Sequence, residues 1–255
     1  MAIREFLSTR QVFTVEDFAA RFPGSQTDRN LLSRAVKRGG VDRVRRGLYV
    51  SKTGRFEGTT ADPLDVALAL APDAVFCYTS ALDLLGVAHN LTNRVQFFTT
   101  KPTASFTYDR VRYLPRSAAG TRPPPLGLLS PTGRSYRVTT EEQTLIDCLT
   151  NMAAAAGPDH LLHSLSGMAA LEPDLAAETA ATAPASVRAR LGWILEVKRD
   201  DWEVADQTLA DLEASLGSGP SYFWSSSTPR DRFWVKRWKL YLPRPEQEMA
   251  SWLTL

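Results

Sequence analysis

Apolar residues in the first forty positions recur every three or four residues in three short runs, which is the spacing of amphipathic helices. The second run follows Thr14, which lies three residues before Asp17 as in a capping box, and it ends at Pro23-Gly24. The third run follows Ser25 and ends at Gly39-Gly40. The pattern therefore predicts three successive helices, the last two joined by a short turn.

A short hairpin is predicted directly after the third helix. Residues 41–45 and 48–50 are β-prone, and Arg46-Gly47 lies between them as a tight turn. Residues 53–61 are polar and contain glycine, which is typical of a linker. We therefore predict a winged helix-turn-helix domain over residues 1–55 and a second domain over residues 62–255.

The second domain combines both periodicities. β-prone runs are predicted at residues 75–78, 94–100, 106–114 and 136–138, with a proline-rich loop at residues 115–133. Helices are predicted at residues 63–70, 80–85 and 140–150, and a helical region rich in alanine and leucine at residues 158–217. A final alternating run at residues 233–242 predicts a strand. The predicted fold class is mixed α/β: an N-terminal winged helix-turn-helix followed by a larger α+β domain that ends in helices and a C-terminal strand.

Charge is distributed unevenly along the chain. Residues 25–55 contain nine basic and two acidic residues, and residues 230–244 contain six basic residues and one acidic residue. The segment between them is acidic, which leaves a net charge of only +2 for the whole chain. Two basic segments on an acidic body favour a polyanionic partner, because neutralised phosphates release condensed counterions. Ordinary solvated faces are the alternative.

The third predicted helix has one polar, cationic face. At about 3.6 residues per turn, Gln26, Arg29 and Lys37 lie on one side and Leu32 lies opposite. Gln, Asn and Arg side chains can read base edges in a major groove, and neighbouring cations, including those of the hairpin, can hold phosphates. The predicted DNA-binding set is Gln26, Thr27, Arg29, Asn30, Ser33, Arg34, Lys37, Arg38, Arg43, Arg45 and Arg46.

Val12-Phe13-Thr14 and the run Arg45-Arg46-Gly47-Leu48-Tyr49-Val50, together with three segments further along the chain, resemble the AbiEi family of antitoxin transcriptional regulators. Residues 12–14 and 45–50 are similar to its N-terminal domain. Three later segments are similar to family motifs: a serine-alanine-leucine segment before a glycine at residues 78–86, an "E-x-T-L-I-D" helix start at residues 140–147, and an "R-L-G-Y-L-L-E" helix at residues 190–196. These matches occur in the expected order over residues 12–196.

The resemblance implies an autorepressor of a toxin-antitoxin operon that binds its own promoter repeats as double-stranded DNA and counteracts a nucleotidyltransferase-like toxin. It also implies that the C-terminal domain carries the antitoxin activity and can assist repression. The basic aromatic run near the C-terminus fits a second DNA contact through Arg232, Lys236, Arg237 and Lys239. A half-buried edge strand would show the same alternation.

Enzyme-like patterns are weaker. Glu196-Val197-Lys198 resembles half of a metal-dependent nuclease site but has helical spacing, and His160 and His163 lack further ligands nearby. No phosphate-binding glycine loop is present. We therefore predict no catalysis, metal or cofactor. A metal-dependent nuclease, a general winged-helix regulator outside toxin-antitoxin systems and a pure protein-interaction module are the alternatives.

The remaining expectations concern compartment. The N-terminus lacks a basic stretch followed by an apolar run, and the apolar runs are too short to span a bilayer. Cys77 and Cys148 are too few and too far apart to form a disulfide framework and are expected to be reduced core residues. We expect a cytoplasmic protein with no membrane partner.

Overall fold

The computed structural model describes residues 2–23, 26–118, 125–129, 133–169, 171–224 and 232–254. Its helices and strands follow in chain order: α1 (Ala2–Thr9), β1 (Val12–Thr14), α2 (Val15–Arg21), α3 (Gln26–Lys37), β2 (Val41–Arg45), β3 (Leu48–Ser51), a 3-10 turn (Gly54–Phe56), α4 (Pro63–Leu70), β4 (Val75–Phe76), α5 (Thr79–Leu84), β5 (Arg94–Thr99), β6 (Phe106–Tyr108), β7 (Val111–Ser117), β8 (Leu126–Leu129), β9 (Ser135–Val138), α6 (Glu141–Thr150), α7 (Pro158–Ser166), α8 (Pro173–Thr179), α9 (Ala185–Val197), α10 (Asp206–Ala214), β10 (Ser221–Tyr222), β11 (Phe233–Val235), β12 (Leu240–Leu242) and α11 (Glu246–Ser251). None of these helices combines the length and the apolar character needed to cross a bilayer.

Two units divide the chain. Unit 1 comprises Met1–Ala74 and Thr99–Ala118, and unit 2 comprises Val75–Phe98 and Ala119–Leu255. Unit 1 is therefore discontinuous in sequence. The division into domains at residues 55 and 62 stays a prediction.

Unit 1 begins with the predicted winged helix-turn-helix. Thr14 caps α2: its Oγ1 accepts from the Asp17 backbone N–H at 3.1 Å, and the Asp17 carboxylate accepts from the Thr14 backbone N–H at 2.8 Å. Strands β1, β3 and β2 form an antiparallel sheet in that order. The turn between β2 and β3 uses Gly47 at φ +82°, a backbone region that favours glycine. The prediction of this fold is confirmed.

Aromatic side chains fill the core of the winged domain. The Phe13 side chain is fully buried, and its ring centroid lies 5.2 Å from that of Phe6 and 5.6 Å from that of Tyr49. Phe18 and Phe22 pack on Phe6 from α2 and the residue that follows it, each with a centroid distance of 5.8 Å. One cluster of rings therefore joins α1, the sheet and α2, and this fixes the base on which α3 is carried.

Unit 1 also contains a second hairpin, formed by β6 and β7. Asp109 and Arg110 form its two-residue turn with φ of +47° and +65°, the left-handed pair that such tight hairpins use. The predicted loop over residues 115–133 is wrong at its start, because β7 continues through Pro115 to Ser117, and again at β8. Proline removes one hydrogen-bond donor but can still lie in a strand where no N–H is needed.

In unit 2, four strands pair in the order β5-β4-β9-β8. Strands β4 and β9 are parallel through Phe76 and Val138, and the other pairs are antiparallel. Helix α6 is buried from Glu142 to Leu149, and α9 contributes the fully buried Trp193. Cys77 and Cys148 are both free and buried, as expected.

The C-terminal part of unit 2 corrects the prediction of one strand over residues 233–242. Strands β11 and β12 are separate and antiparallel, with Trp234 opposite Tyr241. The four residues between them, 236–239, turn the chain back, and Lys239 has φ +46°. Strand β10 pairs with β12 in parallel, and α11 follows β12. The alternation of aromatic and basic residues that favoured a continuous strand therefore includes a turn.

Candidate nucleic-acid interface

Helix α3 carries the predicted recognition face. Among its described side chains, Asn30, Ser33 and Lys37 are exposed, and Leu32 on the opposite side is buried. The side chains of Gln26, Thr27 and Arg29 lie outside the described part of the chain. Arg34 in α3 and Arg38, the residue directly after it, are also exposed. The split into a packed side and a polar, cationic side is as the sequence indicates.

The end of α3 is shaped by its glycines. The Gly40 backbone N–H donates to the Ala35 carbonyl at 3.0 Å, and Gly39 at φ +75° reverses the chain into β2. Arg34 and Lys37 lie in the last turn, where positive charge interacts favourably with the helix dipole. These cations therefore stabilise the helix end while they remain exposed.

The three predicted wing arginines occupy different environments. Arg43 and Arg46 are exposed. The Arg45 guanidinium instead donates from Nη1 to the Ala104 carbonyl at 3.1 Å and lies 5.1 Å from the centre of the Phe106 ring. Arg45 thus holds the second hairpin of unit 1 against the wing, and the exposed wing charge comes from Arg43 and Arg46.

A second contact at Asp42 braces the wing and was missed from the sequence. Its Oδ2 accepts a hydrogen bond from the Tyr108 hydroxyl at 3.0 Å and forms an ion pair with Lys52 Nζ at 2.7 Å. Burial raises the pKa of Tyr108, and the hydrogen bond to Asp42 raises it further, so the hydroxyl keeps its proton. Asp42 and Tyr108 are 66 positions apart, and no local pattern signals their contact.

Three of the four cations predicted as a second DNA contact near the C-terminus interact with other groups of unit 2. Arg237 donates from Nη1 to Glu196 at 2.6 Å and from Nε to Glu213 at 2.9 Å, and these hydrogen bonds raise its pKa. Lys239 Nζ donates to the Gly217 carbonyl at 2.9 Å, and the Arg232 guanidinium lies 4.4 Å from the Tyr222 ring centre. Lys236 is exposed. The role of these four residues as a second DNA contact stays a prediction.

The nuclease-like triplet is part of the same internal network. Glu196 Oε1 accepts from Arg237, and its Oε2 accepts from Trp238 Nε1 at 2.5 Å. Lys198 Nζ donates to Asp201 at 2.5 Å and to the Leu253 carbonyl at 3.1 Å. Both oxygens of Glu196 are occupied, and within the described ranges no group of three or more His, Cys, Asp or Glu side chains could hold a metal ion. A structural role accounts for the triplet.

The two noted histidines lie in a cluster of three rings. His163 stacks on His89 with ring centroids 4.5 Å apart, and His160 lies 6.4 Å from His89. His160 Nε2 is buried and has no hydrogen-bond partner among the described residues. Burial lowers the pKa of both His160 and His163, and the charge of His89 lowers it further.

Acidification is therefore expected to destabilise unit 2. Histidines whose pKa is lowered by folding take up protons more readily when unfolded, so stability should fall as the pH drops below about 6.5. Replacing His160 by glutamine should flatten this dependence between about pH 5 and 7. Urea unfolding across this range, followed by tryptophan fluorescence, measures it. A parallel pH profile in the variant would contradict the assignment.

The motifs that carry the family resemblance have structural roles in unit 2. The Thr79 hydroxyl and backbone N–H both donate to Gln96 Oε1, at 2.8 and 3.1 Å. Gln143 Nε2 donates to Asp147 at 2.9 Å along α6. The Arg190 guanidinium donates to the Leu149 carbonyl at 2.6 Å and twice to the Tyr222 carbonyl. These residues connect strands and helices and do not form an open site.

Two protein-family models match different parts of the chain. Residues 1–52 match the family model "Transcriptional regulator, AbiEi antitoxin", and residues 74–197 match "AbiEi antitoxin C-terminal domain". No curated protein matches the chain. The crystal structure of the RV2827C protein from Mycobacterium tuberculosis is similar in fold, with a TM-score of 0.69, 16% identity and coverage of 98% of this chain and 92% of that one.

Proposed function

Because this chain belongs to the AbiEi antitoxin family, we propose that it represses its own toxin-antitoxin operon by binding promoter DNA through the winged domain. The observation that carries this proposal is the exposed polar and cationic surface formed by α3 and the wing, within the residues that match the regulator model. In this proposal Asn30 and Ser33 contact base edges, and the exposed cations contact phosphates: Arg34, Lys37, Arg38, Arg43 and Arg46. Gln26, Thr27 and Arg29 complete the proposed surface.

The variants that test this proposal must leave Arg45 intact, because Arg45 holds the second hairpin against the wing. Arg43→Ala with Arg46→Ala removes two exposed charges without touching the contacts of Arg45 to Ala104 and Phe106. Each lost phosphate contact should reduce the slope of log K against log salt by about 1, so this pair should reduce it by about 2 and weaken binding about tenfold or more near 0.1 M salt. Fluorescence anisotropy with promoter DNA at several salt concentrations measures both effects.

Arg199→Ala is the matched control for charge. Arg199 is an exposed arginine of unit 2 that pairs with Asp206 at 2.6 Å, and its replacement should leave the DNA affinity unchanged. Arg45→Ala tests a residue that, in this proposal, positions the wing and does not itself contact DNA. It should lower the stability of unit 1 as well as the affinity for DNA. Binding that persists unchanged in the Arg43→Ala, Arg46→Ala protein, or that is insensitive to salt, would contradict the proposal.

We further propose that the chain counteracts a nucleotidyltransferase-like toxin without catalysis of its own. Support comes from the match of residues 74–197 to the antitoxin domain and from Glu196, whose carboxylate oxygens are both hydrogen-bonded. Cells that express a nucleotidyltransferase-like toxin from a neighbouring gene should stop growing, and co-expression of this chain should restore their growth. We expect residues 62–255 to be responsible for this effect. Repression of the promoter without any effect on growth would instead identify a general winged-helix regulator.

A further inference from the structure

The second hairpin of unit 1 runs along the wing in a defined direction. Near the wing turn, Arg45 contacts Ala104 and Phe106, and toward the other end of β2, Asp42 contacts Tyr108. Residues 104 to 108 of the hairpin therefore run along β2 in the direction that leads away from the wing turn. Its open end, where residues 99–104 and 115–117 meet, lies toward the wing turn, and its own turn at Asp109-Arg110 lies at the opposite end.

A cleft of about 290 Å³ lies at this open end. Two cationic side chains, Lys101 and Arg116, line it together with four hydroxyl-bearing residues and two prolines: Thr99, Thr100, Thr103, Ser117, Pro102 and Pro115. All of these residues belong to unit 1. The Lys101 side chain is exposed, and a cation beside hydroxyl groups on a concave surface has the chemistry of a phosphate site.

Asp73 organises one wall of the cleft. Its carboxylate accepts from the Thr99 hydroxyl at 2.8 Å, the Thr100 backbone N–H at 2.7 Å and the Thr100 hydroxyl at 2.5 Å. Burial raises the pKa of Asp73, but the hydrogen bonds from Thr100 and Thr99 outweigh it and lower the pKa to about 2. The carboxylate is thus ionised at neutral pH and its oxygens are held by the threonines.

Lys101 keeps its charge available at the mouth of this cleft. Its backbone N–H donates to the Thr99 hydroxyl oxygen at 3.1 Å, which fixes the main chain, while its side chain is exposed. Within the described residues its ammonium forms no ion pair with a carboxylate. The hydrogen bond therefore holds the Lys101 backbone in the wall of the cleft, and the exposed side chain carries a positive charge there.

We propose that this cleft binds a backbone phosphate of the DNA that contacts α3 and the wing. The inference rests on the proposed function and extends its surface to a segment about fifty residues further along the chain. Lys101 supplies the charge, and the Thr103 and Ser117 hydroxyls can donate to the phosphate oxygens. Arg45 contributes by holding the hairpin in place, so the cleft and the wing approach the DNA together.

The test compares two cations at opposite ends of the same hairpin. Lys101→Ala should weaken promoter binding about three- to tenfold near 0.1 M salt and reduce the salt slope by about 1, equally for specific and unrelated duplexes. Arg110→Asn removes the same charge at the far end and should leave binding unchanged; asparagine tolerates the positive φ of this position. Fluorescence anisotropy measures both, and thermal unfolding verifies that both variants are folded.

The Arg43→Ala, Arg46→Ala protein serves as the reference in the same experiment. If that protein loses affinity while Lys101→Ala binds as the unaltered chain does, the phosphate site is refuted and the proposed function stands. If none of the proteins binds promoter DNA, the proposed function itself fails. Equal losses in Lys101→Ala and Arg110→Asn would also refute the site, because they would indicate an effect of net charge alone.

Inorganic phosphate distinguishes a DNA site from a site for a free anion. The backbone amide signals of Thr99, Thr100, Lys101 and Thr103 should shift in NMR spectra when promoter DNA is added. DNA should also displace inorganic phosphate from the cleft in competition. Phosphate binding at these residues that promoter DNA does not displace would assign the cleft to a free anion and overturn the proposal.

Discussion

Replacing Gly192 by alanine should destabilise unit 2 by about 3 kcal/mol or more, because the added methyl group would overlap a buried tryptophan ring. A Cβ at position 192 would meet Cζ3, Cε3 and Cη2 of Trp238 at distances that non-bonded carbons do not adopt. The Trp238 side chain is fully buried, and its Nε1 donates to Glu196, so the ring cannot move aside without losing that hydrogen bond.

Tryptophan fluorescence during urea unfolding measures this effect, since all six tryptophans of the chain lie in unit 2. Gly217→Ala is the matched control: a Cβ added at Gly217 would meet no atom within 4 Å, and this substitution should change the midpoint little. A Gly192→Ala protein within about 1 kcal/mol of the unaltered chain would show that α9 and the segment of Trp238 do not pack as described.

Truncating Phe13 to alanine should cost unit 1 about 3–5 kcal/mol and abolish DNA binding by unfolding the winged domain. The Phe13 ring is fully buried between the rings of Phe6, Phe18 and Tyr49, and neighbouring side chains cannot fill the volume it would leave. This loss differs from that caused by the wing variants, which should keep the domain folded while they weaken binding.

Amide hydrogen exchange of β1 and β3 measures the stability of unit 1 directly. Val15→Ala removes an apolar side chain that is 37% exposed and should cost less than about 1 kcal/mol, which makes it the control for apolar truncation near the same sheet. Native-like protection of β1 in the Phe13→Ala protein would contradict the prediction.

The winged domain could be predicted because its determinants are local. The capping box of Thr14 and Asp17, the glycines after α3 and the turn at Gly47 each act within a few residues and mark element boundaries in the sequence. The contact between the second hairpin of unit 1 and the wing could not be predicted from the sequence, because Arg45 and Ala104 are 59 positions apart. Sequence periodicity carries no information about such a pairing.

The cationic surface was only partly predictable, for a related reason. Charge counting treats every arginine and lysine alike, but Arg237 is neutralised by Glu196 and Glu213, and Arg45 is held by a carbonyl and a ring. The turn over residues 236–239 was missed because aromatic and basic residues alternate through it, and Lys239 does not mark a positive φ as glycine would.

The discontinuity of unit 1 affects the order in which the chain can fold during synthesis. Residues 1–55 can form the helices and the wing as soon as they leave the ribosome, but Arg45 and Asp42 gain their partners only when residues 104–108 have also emerged. By then the first strand of unit 2, β4, has already been made. A nascent chain stopped before residue 104 would therefore present an unbraced wing, and maturation of the DNA-binding surface is coupled to translation of the following segment.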